Sequence, residues 1–321
     1  MAKLYFLPRT LLKDRDRLLR LGWRVEASLV AVLLALLRLL PRRTAETLAR
    51  RTFALAGPRT GTQTKLLRNL AVLHPDEGLT ALKRRSRRTF ADLGASLAEL
   101  AHLRTLVAER ERLVEFAADP AAEPVLRDPR APAVLVTAHV GAWTLTNLVA
   151  GHYGFRLTSL YVPESNPYVG ARIQALRSAL PMRFIERDNS MRPLLRELAA
   201  GHKVGLASDV RLDAGEPVPF CGHPMLVNTV PVRLALRSGG PLVPTVAERL
   251  PGGRYRVIAE APIQPDDPAA PLEDRVQDMA AKLMARYEAW IRCWPDQWLC
   301  MARRWPKDVE LAAFERARER G

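Results

Sequence analysis

The sequence predicts an α/β fold: a mostly parallel central sheet flanked by helices, preceded by an N-terminal membrane-associated helix. Three observations carry this. Short β-type runs alternate with helical stretches from residue 133 onward, a long helical block with few breakers precedes them, and an apolar stretch bounded by arginines lies near the N-terminus. Strands alternating with helices argue for helices layered on a largely parallel sheet. The 321 residues contain no fixed-period repeat and no Ser/Gly-rich linker. One α/β domain over 44–321, behind an N-terminal segment of 1–43, is the simplest division.

Residues 25–40 read VEASLVAVLLALLRLL, with Trp23 and Arg24 before them and Pro41, Arg42 and Arg43 after. This is a helix pattern stopped by proline. It is shorter than the roughly 20 apolar residues that cross a bilayer, and it carries Glu26 and Arg38. Leu39-Leu40-Pro41-Arg42 is not a signal-peptide cleavage site. The flanking arginines and Trp23 suit a helix dipped into one leaflet, its basic heads at the phosphates. A buried core helix is the other reading.

Residues 44–118 look helical throughout, with Gly57-Pro58 and His74-Pro75 as breakers. A β-run over 133–137 then ends at His139, and a helical stretch follows over 144–150. Strands are expected over 157–162, 183–185 and 203–207, the last ending at Asp209, with helices over 168–180 and 190–200. Further strands over 242–246 and 255–259 precede a long helix over 272–293. In such sheets, polar residues just past the carboxyl ends of the strands line the site, and His139 and Asp209 both fall there.

Charge narrows the partners. The 49 Lys+Arg against 34 Asp+Glu leave +15, mostly arginine, which implies a polyanion: nucleic acid or an anionic membrane surface. Nucleic-acid readers interleave aromatics with basic residues, and only 6% of this chain is aromatic, so no nucleic-acid partner is expected. Arg50-Arg51, Lys83-Arg84-Arg85, Arg87-Arg88 and Arg303-Arg304 together suggest a face held against anionic lipid. Cys221, Cys293 and Cys300 form neither a ligand pattern nor a disulfide framework, and they read as packing residues. No Gly-rich phosphate loop or paired His/Cys set is present, so no metal or cofactor is expected.

The sharpest chemical feature is Thr137-Ala138-His139-Val140-Gly141-Ala142-Trp143. A buried strand delivers a histidine at its end, and a glycine two residues on lets a ligand or backbone approach closely. Imidazole is the usual general base for an attacking hydroxyl near neutral pH. A hydrogen-bonded structural histidine is the alternative.

Taken in order, further segments resemble the late (lauroyl/myristoyl) acyltransferases of lipid A biosynthesis, within the wider lysophospholipid acyltransferase-like superfamily. Arg68-Asn69-Leu70 with His74-Pro75 looks like that family's RNL…FP segment, and His139–Trp143 sits at its H-x4-(D/E) box. Tyr161-Val162-Pro163 with Asn166-Pro167 resembles Y-x-P-x-x-N-P, and Arg177, Arg187 and the segment from Gly201 to Asp209 match its central region. Pro219-Phe220 to Gly222, Arg237-Ser238-Gly239 with Val243-Pro244, and Trp294 to Trp298 with Arg303-Arg304-Trp305 complete the likeness to about Pro306.

The resemblance implies transfer of an acyl chain from a thioester, acyl carrier protein or acyl-CoA, to a lipid-like acceptor at the cytoplasmic face of the bacterial inner membrane. It makes His139 the general base and Arg177 and Asp209 polar catalytic residues. Gly141, Trp143, Thr144, Asn166 and Arg187 would contact substrate, although Arg187 could equally form an ion pair with Glu186 or Asp188. The chain departs from the box where Thr144 replaces the carboxylate and Ala142 the asparagine. Asp209 could supply the missing charge, the acceptor could be an amine or a pre-activated hydroxyl, or catalysis could be lost and only lipid or carrier-protein binding kept. An acceptor other than the standard lipid A precursor is expected on this account.

Overall fold

The computed structural model describes residues 16–187 and 190–321. Its strands are β1 (Val114–Ala118), β2 (Ala133–Thr137), β3 (Leu157–Tyr161), β4 (Arg183–Glu186), β5 (Lys203–Ala207), β6 (Glu216–Phe220), β7 (His223–Val227), β8 (Leu242–Leu250) and β9 (Arg254–Ala259). Seven form one sheet in the order β1-β9-β8-β2-β5-β3-β4, parallel at every pairing except β8 with β9. The expected α/β sheet flanked by helices is thus observed.

Both faces of the central strands are covered, so they read as continuous apolar runs rather than alternating ones. Val134 and Val136 of β2 pack into a core shared with helices Met191–Ala199, Val230–Ser238 and Leu272–Cys293. Leu135 faces a second core built from Leu103, Leu106, Leu126, Leu145 and Leu148.

Several elements differ from the sequence reading. Residues 114–118 are edge strand β1, not helix, although Glu115-Phe116-Ala117-Ala118 has no strong β preference. Pairing with β9 decides it, reinforced by Arg254 and Arg256, which bond Glu115 across the ladder (3.1 and 2.8 Å). β6 and β7 form a separate antiparallel hairpin that its three prolines concealed. Its two-residue turn, Cys221-Gly222, has φ of 51° and 76°, as a type I′ turn requires. Cys221 therefore serves a turn, Cys293 is exposed, and Cys300 alone of the three is a buried packing residue. The stretch after the histidine is a 3₁₀ segment over Trp143–Leu148 before a short α-helix, Val149–Tyr153.

The N-terminal helix spans Asp16–Leu39; the first 15 residues of segment 1–43 lie outside the described residues. It is neither buried all round nor free. Ala27, Leu34 and Leu37 pack inward, while Leu21, Val25, Leu29, Val32, Leu36 and Leu39 are exposed at helical spacing along the other side. Among the described residues no helix is long and apolar enough to cross a membrane.

Candidate active site

Strand register brings the two central residues together. β2 pairs with β5 in parallel with Thr137 opposite Ala207, so residues two positions beyond each strand meet. There the His139 ring Nδ1 lies 2.6 Å from Asp209 Oδ1. A carboxylate only accepts, so Nδ1 carries the proton and Nε2 is left as an acceptor. Asp209 is fully buried, and the His139 side chain is 25% exposed.

The other carboxylate oxygen is also engaged. Trp298 Nε1–H donates to Asp209 Oδ2 at 2.9 Å, and Arg304 Nη2 lies 3.7 Å from the same atom. Burial by itself would raise the Asp209 pKa. The charge and hydrogen bond of His139, then Arg304 and the indole N–H, outweigh it and hold the carboxyl well below the usual carboxylate range. The carboxylate beside the histidine therefore comes from Asp209, not from position 144.

His139 opens on a cavity of about 570 Å³ around the carboxyl halves of β2, β3 and β5, within the range of about 300–1,000 Å³ common for small-molecule sites. The void has a simple origin. Across the sheet Leu135 stands opposite Gly205 and Gly205 opposite Ser159, with Ala207 one step along, so small side chains leave the floor low. Leu157, Phe184 and Val230 make its walls apolar. A Cβ built on Gly205 meets Leu157 Cδ1 at 3.5 Å and Ser159 Oγ at 3.6 Å, so larger side chains would rise into the space.

Trp143, Thr144, Arg177 and Arg187 line this cavity with His139. The Trp143 ring lies 4.8 Å from the His139 ring at 59° and limits its rotation. Thr144 contributes to the wall, and its backbone carbonyl accepts from Asn147. Arg177 closes helix Pro167–Arg177, with its guanidinium 6.0 Å from the Phe184 ring. Burial lowers its pKa against the opposing pull of Glu164, so this cation is held partly desolvated. Asp188, considered as a partner of Arg187, lies outside the described residues.

Gly141 and Asn166 stand elsewhere. Gly141 has φ +62°, and a Cβ there would sit 2.4 Å from the Ala247 carbonyl oxygen. The box glycine lets the chain after His139 run against β8, where Ala142 N–H donates to Ala247. Asn166 is fully buried and caps helix Pro167–Arg177, accepting from the N–H groups of Tyr168 and Val169. Its Nδ2 donates to Trp23 O and Glu26 Oε2, clasping the N-terminal helix to the domain. Neither residue lines the cavity; Gly141 meets the Ala247 backbone, and Asn166 bonds Tyr168, Val169, Trp23 and Glu26. Arg304, counted among the surface basic clusters, is 3% exposed against Asp209, and Arg85 and Arg88 both bond Asp296.

Sequence reasoning gave no part in the site to Trp298 and Arg304, although both stood in a quoted motif, nor to Gly205, a lone glycine in a strand. Fold and site together define an α/β protein with a histidine–carboxylate pair past the carboxyl ends of parallel strands, set over an apolar cavity. The model of the bacterial lipid A biosynthesis acyltransferase family matches residues 12–307, and the chain belongs to that family. Membership supports acyltransferase activity of the lipid A type. No curated protein matches the sequence.

Proposed function

We propose that this protein transfers a fatty acyl chain from a thioester, on acyl carrier protein or coenzyme A, to a hydroxyl or amine of a lipid-like acceptor. His139 Nε2 takes the acceptor's proton as its oxygen or nitrogen attacks the thioester carbonyl. The carbon–sulfur bond of the resulting tetrahedral intermediate then breaks, and the leaving thiolate takes the proton from the imidazolium. Asp209 fixes the tautomer and stabilises the imidazolium, while Arg177 faces the developing oxyanion or a phosphate of donor or acceptor. The acyl chain lies along the floor beside Gly205. No metal or cofactor enters these steps.

The observation that carries the reading is the 2.6 Å His139–Asp209 contact beside an apolar cavity. Labelled acyl thioester and membrane lipid extract, incubated with purified protein, should yield labelled acceptor. Equal labelling by wild type and His139→Ala would remove His139 as the base.

Thr144 favours a second reading, a non-catalytic subunit that binds lipid or carrier protein. Wild-type turnover would exclude it; activity arising only in Thr144→Glu would support it.

The exposed apolar side of helix Asp16–Leu39, with Arg20 and Arg24 near it, suits an anionic membrane surface. We propose that the enzyme works at the cytoplasmic face of the bacterial inner membrane, a reading that this exposed apolar side supports.

Chain-length selection supplies another test. Gly205→Val should cut turnover of long-chain donors by about 10- to 200-fold for each methylene that no longer fits, and spare short chains. A donor series from 8 to 16 carbons (roughly the span of common acyl groups) reads this out. An unchanged profile would show that the chain does not lie over Gly205.

A further inference from the structure

The closing segment 297–305 contains a Trp and an Arg that touch the catalytic carboxylate without lining the cavity. We propose that Trp298 and Arg304 are positioning residues that orient the Asp209 carboxylate and keep it ionised for His139. This rests on the reading of His139 as the base.

Geometry divides the carboxylate between two tasks. Oδ1 faces the His139 ring, and Oδ2 faces the Trp298 indole N–H and the Arg304 guanidinium. One hydrogen bond and one nearby cation on the same oxygen hinder rotation of the carboxylate, so the other oxygen stays aimed at the ring. The Arg304 guanidinium lies 5.5 Å from the centre of the Trp298 ring, which joins the donor and the cation into one unit.

The segment that carries them is tied to the histidine itself. Val140 bridges Trp298, Leu299 N–H donates to His139 O at 2.9 Å, and Gly141 N–H donates to Gln297 O at 3.2 Å. From the far side, Asn69 Nδ2 donates to the carbonyls of Cys300 (2.6 Å) and Ala302 (2.8 Å). Trp305 Nε1–H donates to Phe220 O, and the Phe220 ring packs against both tryptophans. Asn69, Gly141 and Phe220 thus hold the closing segment, and that segment alone of the four reaches the carboxylate.

Trp298→Phe keeps the ring and removes the donor; Arg304→Met keeps the stem and removes the charge. In the thioester assay kcat should fall about 10- to 100-fold, the effect of losing one hydrogen bond to a charged group for Trp298 or one close opposite charge for Arg304, with donor KM within about threefold. The indole N–H and the Arg304 charge both favour the deprotonated pair, so removing either should move the acid limb of the pH–kcat profile upward by about half a unit or more. Arg304→Lys should recover part of the rate. Folded variants whose acid limb does not move overturn the proposal, whether or not kcat falls, because a packing role would lower stability and rate without changing the titration. A measurement on wild-type protein is independent of how either variant folds: the Trp298 indole N–H resonance should shift with pH at the midpoint of the acid limb. A resonance indifferent to pH there also overturns the proposal. Activity retained by His139→Ala would instead remove the base assignment, so the two failures are distinguishable.

Discussion

Asp209→Asn is expected to lower kcat by about 10³- to 10⁴-fold, with little change in donor KM. The reason is a tautomer. Trp298 N–H donates to Oδ2 and the Arg304 cation lies near the same atom, so the amide of an asparagine turns its carbonyl to them and its NH₂ to His139. The ring nitrogen Nδ1 must then accept, the proton moves to Nε2, and the base is blocked. His139 and Asp209 act as a unit, so the His139→Ala/Asp209→Asn double variant should be no slower than His139→Ala alone. Steady-state kinetics on the three proteins checks this, and an Asp209→Asn enzyme within tenfold of wild type would show that the carboxylate does not set the tautomer.

Linkage gives the same substitution a signature in stability. The native-state pKa of Asp209 lies below its unfolded value of 3.8, so the charge stabilises the fold fully above that value and the effect is lost as pH falls toward the native-state value. The share of the stability gap between wild type and Asp209→Asn that comes from ionising Asp209 itself should be full above about pH 4 and lost under more acidic conditions. Urea unfolding on both sides of that pH measures it.

Replacing Leu29, Val32 and Leu36 by aspartate is expected to release the protein from anionic vesicles by at least about 10³-fold in partition coefficient, since each buried apolar side chain contributes about 1.5–3 kcal/mol. All three are exposed, at 57%, 57% and 55%, while Ala27, Leu34 and Leu37 on the packed side remain untouched. The fold should therefore survive, with an unchanged thermal midpoint. Co-sedimentation with vesicles reads the partition, and undiminished binding by the triple variant would show that this side does not meet the membrane. Asn166 clasps the helix at Trp23 and Glu26, and the helix that Asn166 caps ends at Arg177 on the cavity wall. A lipid acceptor held at that surface would be close to His139, so turnover on vesicles should fall further than turnover of a detergent-dispersed acceptor.

Much of the site was legible in the chain. His139 and Asp209 could be placed at strand ends because short apolar runs broken by polar residues read clearly in a buried sheet. Their partnership, raised as one option, needed the β2–β5 register, which pairing between distant segments decides. β1 was unreadable because Glu115, Ala117 and Ala118 suit a helix as well, and only pairing with β9 chose the strand. Gly141 and Asn166 were read as substrate contacts since both stand in motifs. The fold uses one for a close backbone approach and the other as a helix cap and clasp.

By itself, the sequence determined the layered α/β class, the histidine and aspartate at the tips of their strands, and the membership that the motifs announced. Local pattern suffices for these, because hydrophobic period and strand-end polarity are properties of neighbouring residues. The tertiary structure alone decided which carboxylate serves His139, where the cavity lies, and that Trp298 and Arg304 meet Asp209. Each of those depends on contacts between residues far apart in the chain, where register and packing rather than local preference select the partner.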